Sequence, residues 1–261
     1  RRNLPAPSRA APTIANGRIF IVTLDNRTLA LDAENGQQLW EHQGFSESTA
    51  LVGSASAAAT RDIVISPYSS GEVYSLIPEN GAVAWSEDLG AAKASGSLAG
   101  LADIQGHPVI DAGAVYAMSF AGRLVAIDLR QGERIWQKDV GGLNTPWPAG
   151  NRIFILTSDN EAVALNRNDG SVVWVTKLPS FGNVKKRKNP VQWYGPLFAG
   201  GRLWYAGSNK ILVALDPESG KRVTRHKTGI EAVMPPIVAD RTLYLVGADG
   251  KLMAFRSKDE S

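Results

Sequence analysis

The chain repeats itself. An Ala-x-Asp-x-x-x-Gly-x-x-x-Trp pattern stands at Ala30-Asp32-Gly36-Trp40 and returns at Ala126-Asp128-Gly132-Trp136. Variants occupy Ser75-Ile77-Gly81-Trp85 and Ala164-Asn166-Gly170-Trp174, and a fifth copy, Ala214-Asp216-Gly220, has Thr224 where Trp is due. A sixth unit begins with "DRTLYLVGADG" and runs to the end of the chain. The Trp residues lie 45, 51 and 38 positions apart, and Thr224 follows 50 further on. A fixed motif at a variable period of this size marks a repeat architecture with loop insertions between units.

Each unit reads as strands. "RIFIVT", "RLVAID" and "RIFILT" are short β-branched or aromatic runs bounded by Gly, Asn or Asp. The pairs Asp25-Asn26, Asp159-Asn160 and Asp249-Gly250 suit hairpin turns. "AENG", "PENG", "RQG", "RNDG" and "PESG" close Gly turns before the strand that carries the Trp. A further apolar piece, such as "HPVIDAG" or "MPPIVAD", leads each unit. Helical periodicity is absent. Four antiparallel strands per unit of ~45 residues is the arithmetic of a β-propeller. The expectation is one all-β propeller domain over 1–261, with blade units near 10–45, 46–90, 97–141, 142–180, 190–230 and 231–258. The last blade lacks its outer strand, which the N-terminal "RRNLPAP" supplies only if the ring closes at six.

In this reading Asp32, Asp128 and Asp216 accept backbone N–H bonds across their turns. Trp40, Trp85, Trp136 and Trp174, on the outer strands, stack against the neighbouring blade's turn and bury a large ring between blades. The motif therefore reads as inter-blade masonry.

Chemistry is hard to find. With no cysteine, disulfides, thiolate nucleophiles and Cys-based metal sites are excluded. His42, His107 and His226 have no metal-ligand spacing and are expected at the surface. Acidic residues sit in blade turns instead of converging on one centre, and no nucleophile elbow or phosphate loop can be named. A formal charge of +3 with scattered basic residues argues against a nucleic-acid partner. The one dense basic run, Lys185 to Lys188 in "VKKRKNP", is expected to be a solvated loop. Trp147 and the Trp193-Tyr194 pair fall outside the repeat and are expected near one mouth of the channel, against loops or a ligand.

The motif as it stands here resembles the PQQ-like propeller repeat, shared by quinoprotein dehydrogenases and non-enzymatic scaffolds. The stretch Leu101 to Gly142, with "ALVGSASAAA" and "NTPWPAGNRIFILTSDNEAVALN", resembles the BamB family of outer-membrane β-barrel assembly factors, in its α-proteobacterial form. That resemblance implies an eight-bladed parent, about six blades of which are visible here. It also implies a lipidated N-terminal Cys, absent from this chain, as the only membrane attachment, and a location on the periplasmic face of the outer membrane. It further implies a scaffold without enzymatic activity or cofactor, bound to the POTRA domains of BamA and in contact with nascent outer-membrane proteins. The family's partner loops correspond to Leu51-Val52 and to Asp103 and Gln105. The family has Arg where Val52 stands and a second Asp where Gln105 stands, so half of its charged constellation is missing. The alternatives are a quinoprotein dehydrogenase-like propeller and a ligand-binding propeller.

Overall fold

A computed structural model describes residues 3–45, 55–90, 103–120, 122–183 and 185–256. The chain divides into two compact units, Arg1–Pro146 and Trp147–Ser261. The first unit holds three four-stranded antiparallel meanders. They are β1 (Thr13–Ala15), β2 (Arg18–Val22), β3 (Arg27–Asp32) and β4 (Gln38–Gln43); β5 (Ala58–Ala59), β6 (Val64–Pro67), β7 (Glu72–Leu76) and β8 (Val83–Asp88); and β9 (Val109–Asp111), β10 (Ala114–Met118), β11 (Leu124–Asp128) and β12 (Arg134–Lys138).

The second unit opens with the meander β13 (Trp147–Ala149), β14 (Arg152–Leu156), β15 (Glu161–Asn166) and β16 (Val172–Lys177). A small hairpin follows, β17 (Phe181–Asn183) with β18 (Lys188–Pro190). Next comes β19 (Trp193–Ala199), β20 (Arg202–Gly207), β21 (Ile211–Leu215) and β22 (Arg222–Lys227), then the three-stranded β23 (Ile237–Ala239), β24 (Thr242–Val246) and β25 (Leu252–Arg256). Among the described residues there is no helix. The hairpin turns form where expected, with φ of 59° at Asn26, 60° at Asn160 and 77° at Gly250. Asn and Gly tolerate this left-handed conformation.

Burial explains the composition of each strand. The central strands β10 (AVYAM) and β21 (ILVAL) are buried at every position, so both of their faces meet other parts of the protein. Such strands lose the polar alternation of a half-solvated sheet. The fourth strands alternate instead, and in β4, β8, β12 and β16 the Trp is the one buried residue.

Register then explains the small residue that opens the motif. Trp40 pairs with Ala30 and Ala30 with Phe20, and the same column recurs as Trp136-Ala126-Tyr116 and Trp174-Ala164-Phe154. The alanine is fully buried, and its small size lets the rings flanking it lean together. Centroids lie 5.8 Å apart for Phe20 and Trp40, 6.2 Å for Tyr116 and Trp136, and 6.0 Å for Phe154 and Trp174. Directly after this small residue, all five four-stranded meanders carry a β-bulge against the fourth strand. A bulge increases local twist and re-aims the side chains beside it.

The indoles reach from one sheet to the next. Trp40 Nε1 donates to the Pro78 carbonyl at 2.7 Å, Trp85 Nε1 to Leu129 at 3.0 Å, and Trp174 Nε1 to Pro217 at 2.9 Å. Each acceptor lies directly after the Asp position of the following motif. The glycine of that turn lies against the indole face. A Cβ on Gly81, Gly132 or Gly220 would come within 2.6, 2.5 and 2.5 Å of Trp40, Trp85 and Trp174 respectively. Their φ values of +73°, +74° and +68° favour glycine as well. Where the motif has Asp, it caps its own turn: Asp32 Oδ1 accepts from the Glu34 and Asn35 amides, Asp128 Oδ1 from Arg130 and Gln131, and Asp216 Oδ1 from Ser219.

Three expectations need correction. The Lys185 to Lys188 run does not sit in an open loop but forms the tip and returning strand of the β17–β18 hairpin, exposed as expected. The Arg187 guanidinium lies 5.6 Å from the Phe181 ring centroid, and this contact helps close the hairpin. Trp193 is 1 % exposed, and its Nε1 donates to Pro179 O at 2.9 Å, so it packs in the core against its own loop and does not stand at an open mouth. His42 is half-buried and not a surface residue. Two positions after Trp40 on the same strand face, it packs 4.5 Å from the Tyr74 ring, with Nδ1 2.8 Å from the Tyr68 hydroxyl.

Candidate partner interface

The loop that opens the third meander carries the residues singled out between repeats. Asp103 is 1 % exposed, and its carbonyl accepts from the Phe120 amide at 2.9 Å. Gln105, half-buried, points its amide back at Asp103, with Nε2 3.5 Å from Oδ2. Ile104 between them is buried with Ala55, Leu89, Val115 and Ile127, which anchors the loop in the core of the first unit. Strand-like alternation thus sends the Ile inward to apolar contacts while the polar residues on either side meet each other. Leu51 and Val52, the other half of the expected interface, lie outside the described residues.

Two further residues pin the loop. Gly106 lies so close to Asn144 that a Cβ would come 2.5 Å from the Asn144 carbonyl oxygen, and any larger residue would push the two segments apart. His107 bridges them to a third segment: its amide donates to Thr145 Oγ1 at 3.0 Å, and its Nδ1 accepts from the Ser56 amide at 2.7 Å. The segments before β5, β9 and β13 are therefore tied together. The pattern of repeats gave no reason to choose His107, Ser56 or Thr145, because all three lie outside the copied motif.

Asp103 places a carboxyl group below the surface, and Gln105 offers both a donor and an acceptor nearer to it. His107 is exposed as a residue, as expected, but partial desolvation of its ring lowers its pKa from the ordinary value, and the bond from the Ser56 amide also requires an unprotonated Nδ1. Among the described residues no group of three or more His, Cys, Asp or Glu side chains is placed to hold a metal ion.

The two perturbed histidines predict a pH dependence. Burial also lowers the His42 pKa, against an opposing effect from Glu72. An unfolded histidine titrates near pH ~6.5. Between that value and the lower folded pKa the unfolded chain binds more protons, so stability rises with pH across the window and levels off above it. Urea midpoints should therefore fall between pH ~7.5 and ~5.5 in the wild type, and fall less in His42→Gln or His107→Asn. Identical slopes in all three proteins would remove both rings from the account.

Comparison with known proteins bears on the whole chain. The family described as outer membrane protein assembly factor BamB matches residues 1–176 and 183–261. The outer membrane protein assembly factor BamB of Yersinia pestis is 24% identical over 245 residues, covering 94% of this chain and 60% of that relative. The chain spans about half the length of the curated relatives it matches. The crystal structure of BamB from Moraxella catarrhalis superposes with a TM-score of 0.86 at 21% identity, over 98% of this chain and 74% of that one. A quinohemoprotein alcohol dehydrogenase from Pseudomonas putida superposes with a TM-score of 0.68 at 16% identity, over 97% of this chain and 46% of that enzyme. The fold class is thus the all-β propeller built from quinoprotein-type repeats, as the sequence led us to expect.

Proposed function

The chain belongs to the family of the outer membrane protein assembly factor BamB, and from that premise we propose that it is a non-enzymatic scaffold of the β-barrel assembly machinery. It works at the periplasmic face of the outer membrane, docks on the POTRA domains of BamA and assists the insertion of barrel proteins. The observation that carries this reading is a family match running through nearly the whole chain, unrepeated loops included. The motif's own carboxylates support the non-enzymatic part, since Asp32, Asp128 and Asp216 are already engaged in capping their turns.

The docking surface in this proposal joins Leu51 and Val52 to Gln105, with Asp103 behind. Leu51 supplies an apolar anchor. With Asp103 1 % exposed, the partner meets the Gln105 amide first, and Asp103 acts by orienting it. Val52 and Gln105 bring no charge of their own, so contact rests on packing and neutral hydrogen bonds. Such an interface depends on salt less than one built on exposed ion pairs.

The test is capture of this chain by the cognate BamA POTRA region. Wild-type protein should bind, while Leu51→Asp and Gln105→Arg should each weaken binding by about tenfold or more, the scale of losing a buried interface contact. Equal capture of all three proteins would remove the site, and failure of the wild type to bind would remove the function.

A further inference from the structure

Four of the five complete sheets carry the docking indole, and the fifth does not. In β22 the position is Thr224, paired with Ala214, which pairs in turn with Trp204. Trp204 therefore stands in the register column that Phe20, Tyr116 and Phe154 hold beneath an indole. Here no indole covers it. Its Nε1 donates to Ala199 O at 3.1 Å, and Thr224 Oγ1 lies 3.1 Å from His226 Nε2.

A cavity of about 690 Å³ opens on this side of the sheet, lined by Trp204, Leu212 and His226 and by Leu243, Val238 and Phe255 of the three-stranded sheet. That volume falls within the roughly 300–1,000 Å³ of small-ligand sites. Its apolar floor continues the core cluster of Leu212, Leu243 and Leu245. Its rim is basic: Arg202, Arg241 and Arg256 all border the opening, each of them exposed. Arg256 is engaged with Asp240 at 3.3 Å, which leaves Arg202 and Arg241 as the cations facing an incoming group.

We propose that this cavity binds an acidic peptide segment presenting an aromatic side chain. The ring takes a place over Trp204 comparable to that of the repeat's own indole in the other sheets, and flanking carboxylates pair with Arg202 and Arg241. Planar guanidinium groups match carboxylates in paired hydrogen bonds, and an aromatic floor below a cationic rim selects for ring and charge together. The site lies in the second unit and does not depend on the docking proposed for Asp103 and Gln105 in the first.

Calorimetric titration of the full chain with acetyl-Glu-Trp-Glu-amide tests this. The acidic aromatic peptide should bind measurably below ~1 mM. Acetyl-Gln-Trp-Gln-amide and acetyl-Glu-Ala-Glu-amide should each bind about tenfold more weakly, as should free indole-3-acetate. Thr224→Trp, which restores the missing indole, should weaken binding of the acidic peptide by about tenfold or more, and so should the surface variants Arg202→Glu and Arg241→Glu. No binding at ~1 mM, or binding unchanged in the two arginine variants, would overturn the proposal. Indole-3-acetate binding as tightly as the peptide would overturn its assignment to peptides.

Discussion

Trp85→Ala is expected to cost the first unit about 3–5 kcal/mol, the range for removing a large aromatic side chain from a core. Three losses combine. The indole is 8 % exposed and packs among Ile65, Val115, Val125 and Ile127. Its removal leaves the Leu129 carbonyl without the donor that reaches it at 3.0 Å. It also opens a void against Gly132, whose α-carbon the indole covers. The backbone on both sides is held by sheet hydrogen bonds, so the site has little freedom to collapse. Urea denaturation followed by circular dichroism measures the effect, with Thr224→Ala as a control that removes no indole. A loss below about 1 kcal/mol would mean that the indole is not a staple.

Gly81→Val should be costly for a different reason. At φ +73° a β-branched residue meets a conformational penalty of roughly 1–2 kcal/mol. The new side chain also begins 2.6 Å from Trp40, which adds overpacking of about 1–3 kcal/mol. The first motif contains its own control. Gly36 has the same φ of +73° in the same turn, and a Cβ there meets nothing within 4 Å. Gly36→Val should therefore show only the conformational part, and the difference between the two variants isolates the crowding. Adding Trp40→Ala to Gly81→Val should cost less than the sum of the single changes, because both act on one contact. Strict additivity would separate the glycine from the indole.

The repeat made the fold readable because it fixed what single residues leave open. One Asp-Asn pair is a weak turn signal, but the same turn followed by the same Gly and Trp sets strand order and register together. The unrepeated residues were harder to assign. Trp193 and Trp204 are close in sequence and alike in type, yet Trp193 is fully buried while Trp204 is half-buried beside the larger cavity. Only the pairing of Trp204 with Ala214 and Thr224 separates them, and that pairing depends on the bulge after Ala214. The burial of His42 is equally hidden from its own segment, because its neighbours Tyr68 and Tyr74 belong to the next sheet. Asp103 is named by the family resemblance of its loop. Its burial depends on Ile104 and on the tie to Phe120, neither of which a local reading supplies.

The indole contacts also have a direction. Trp40, Trp85 and Trp174 each donate forward along the chain, from one sheet to the turn of its successor. Within each unit these sheets are thus clamped by the one before and clamp the one after. Arrays with only nearest-neighbour contacts lose order from their weakest junction outward. Within the second unit that junction follows Thr224, where no clamp is passed on and the next sheet has three strands. Loss of order there is expected to begin with β23–β25 and to reach β19–β22 next, whose own turn at Pro217 is still held from behind by Trp174. The single threonine makes the fastening one-sided, so this unit comes apart from one end.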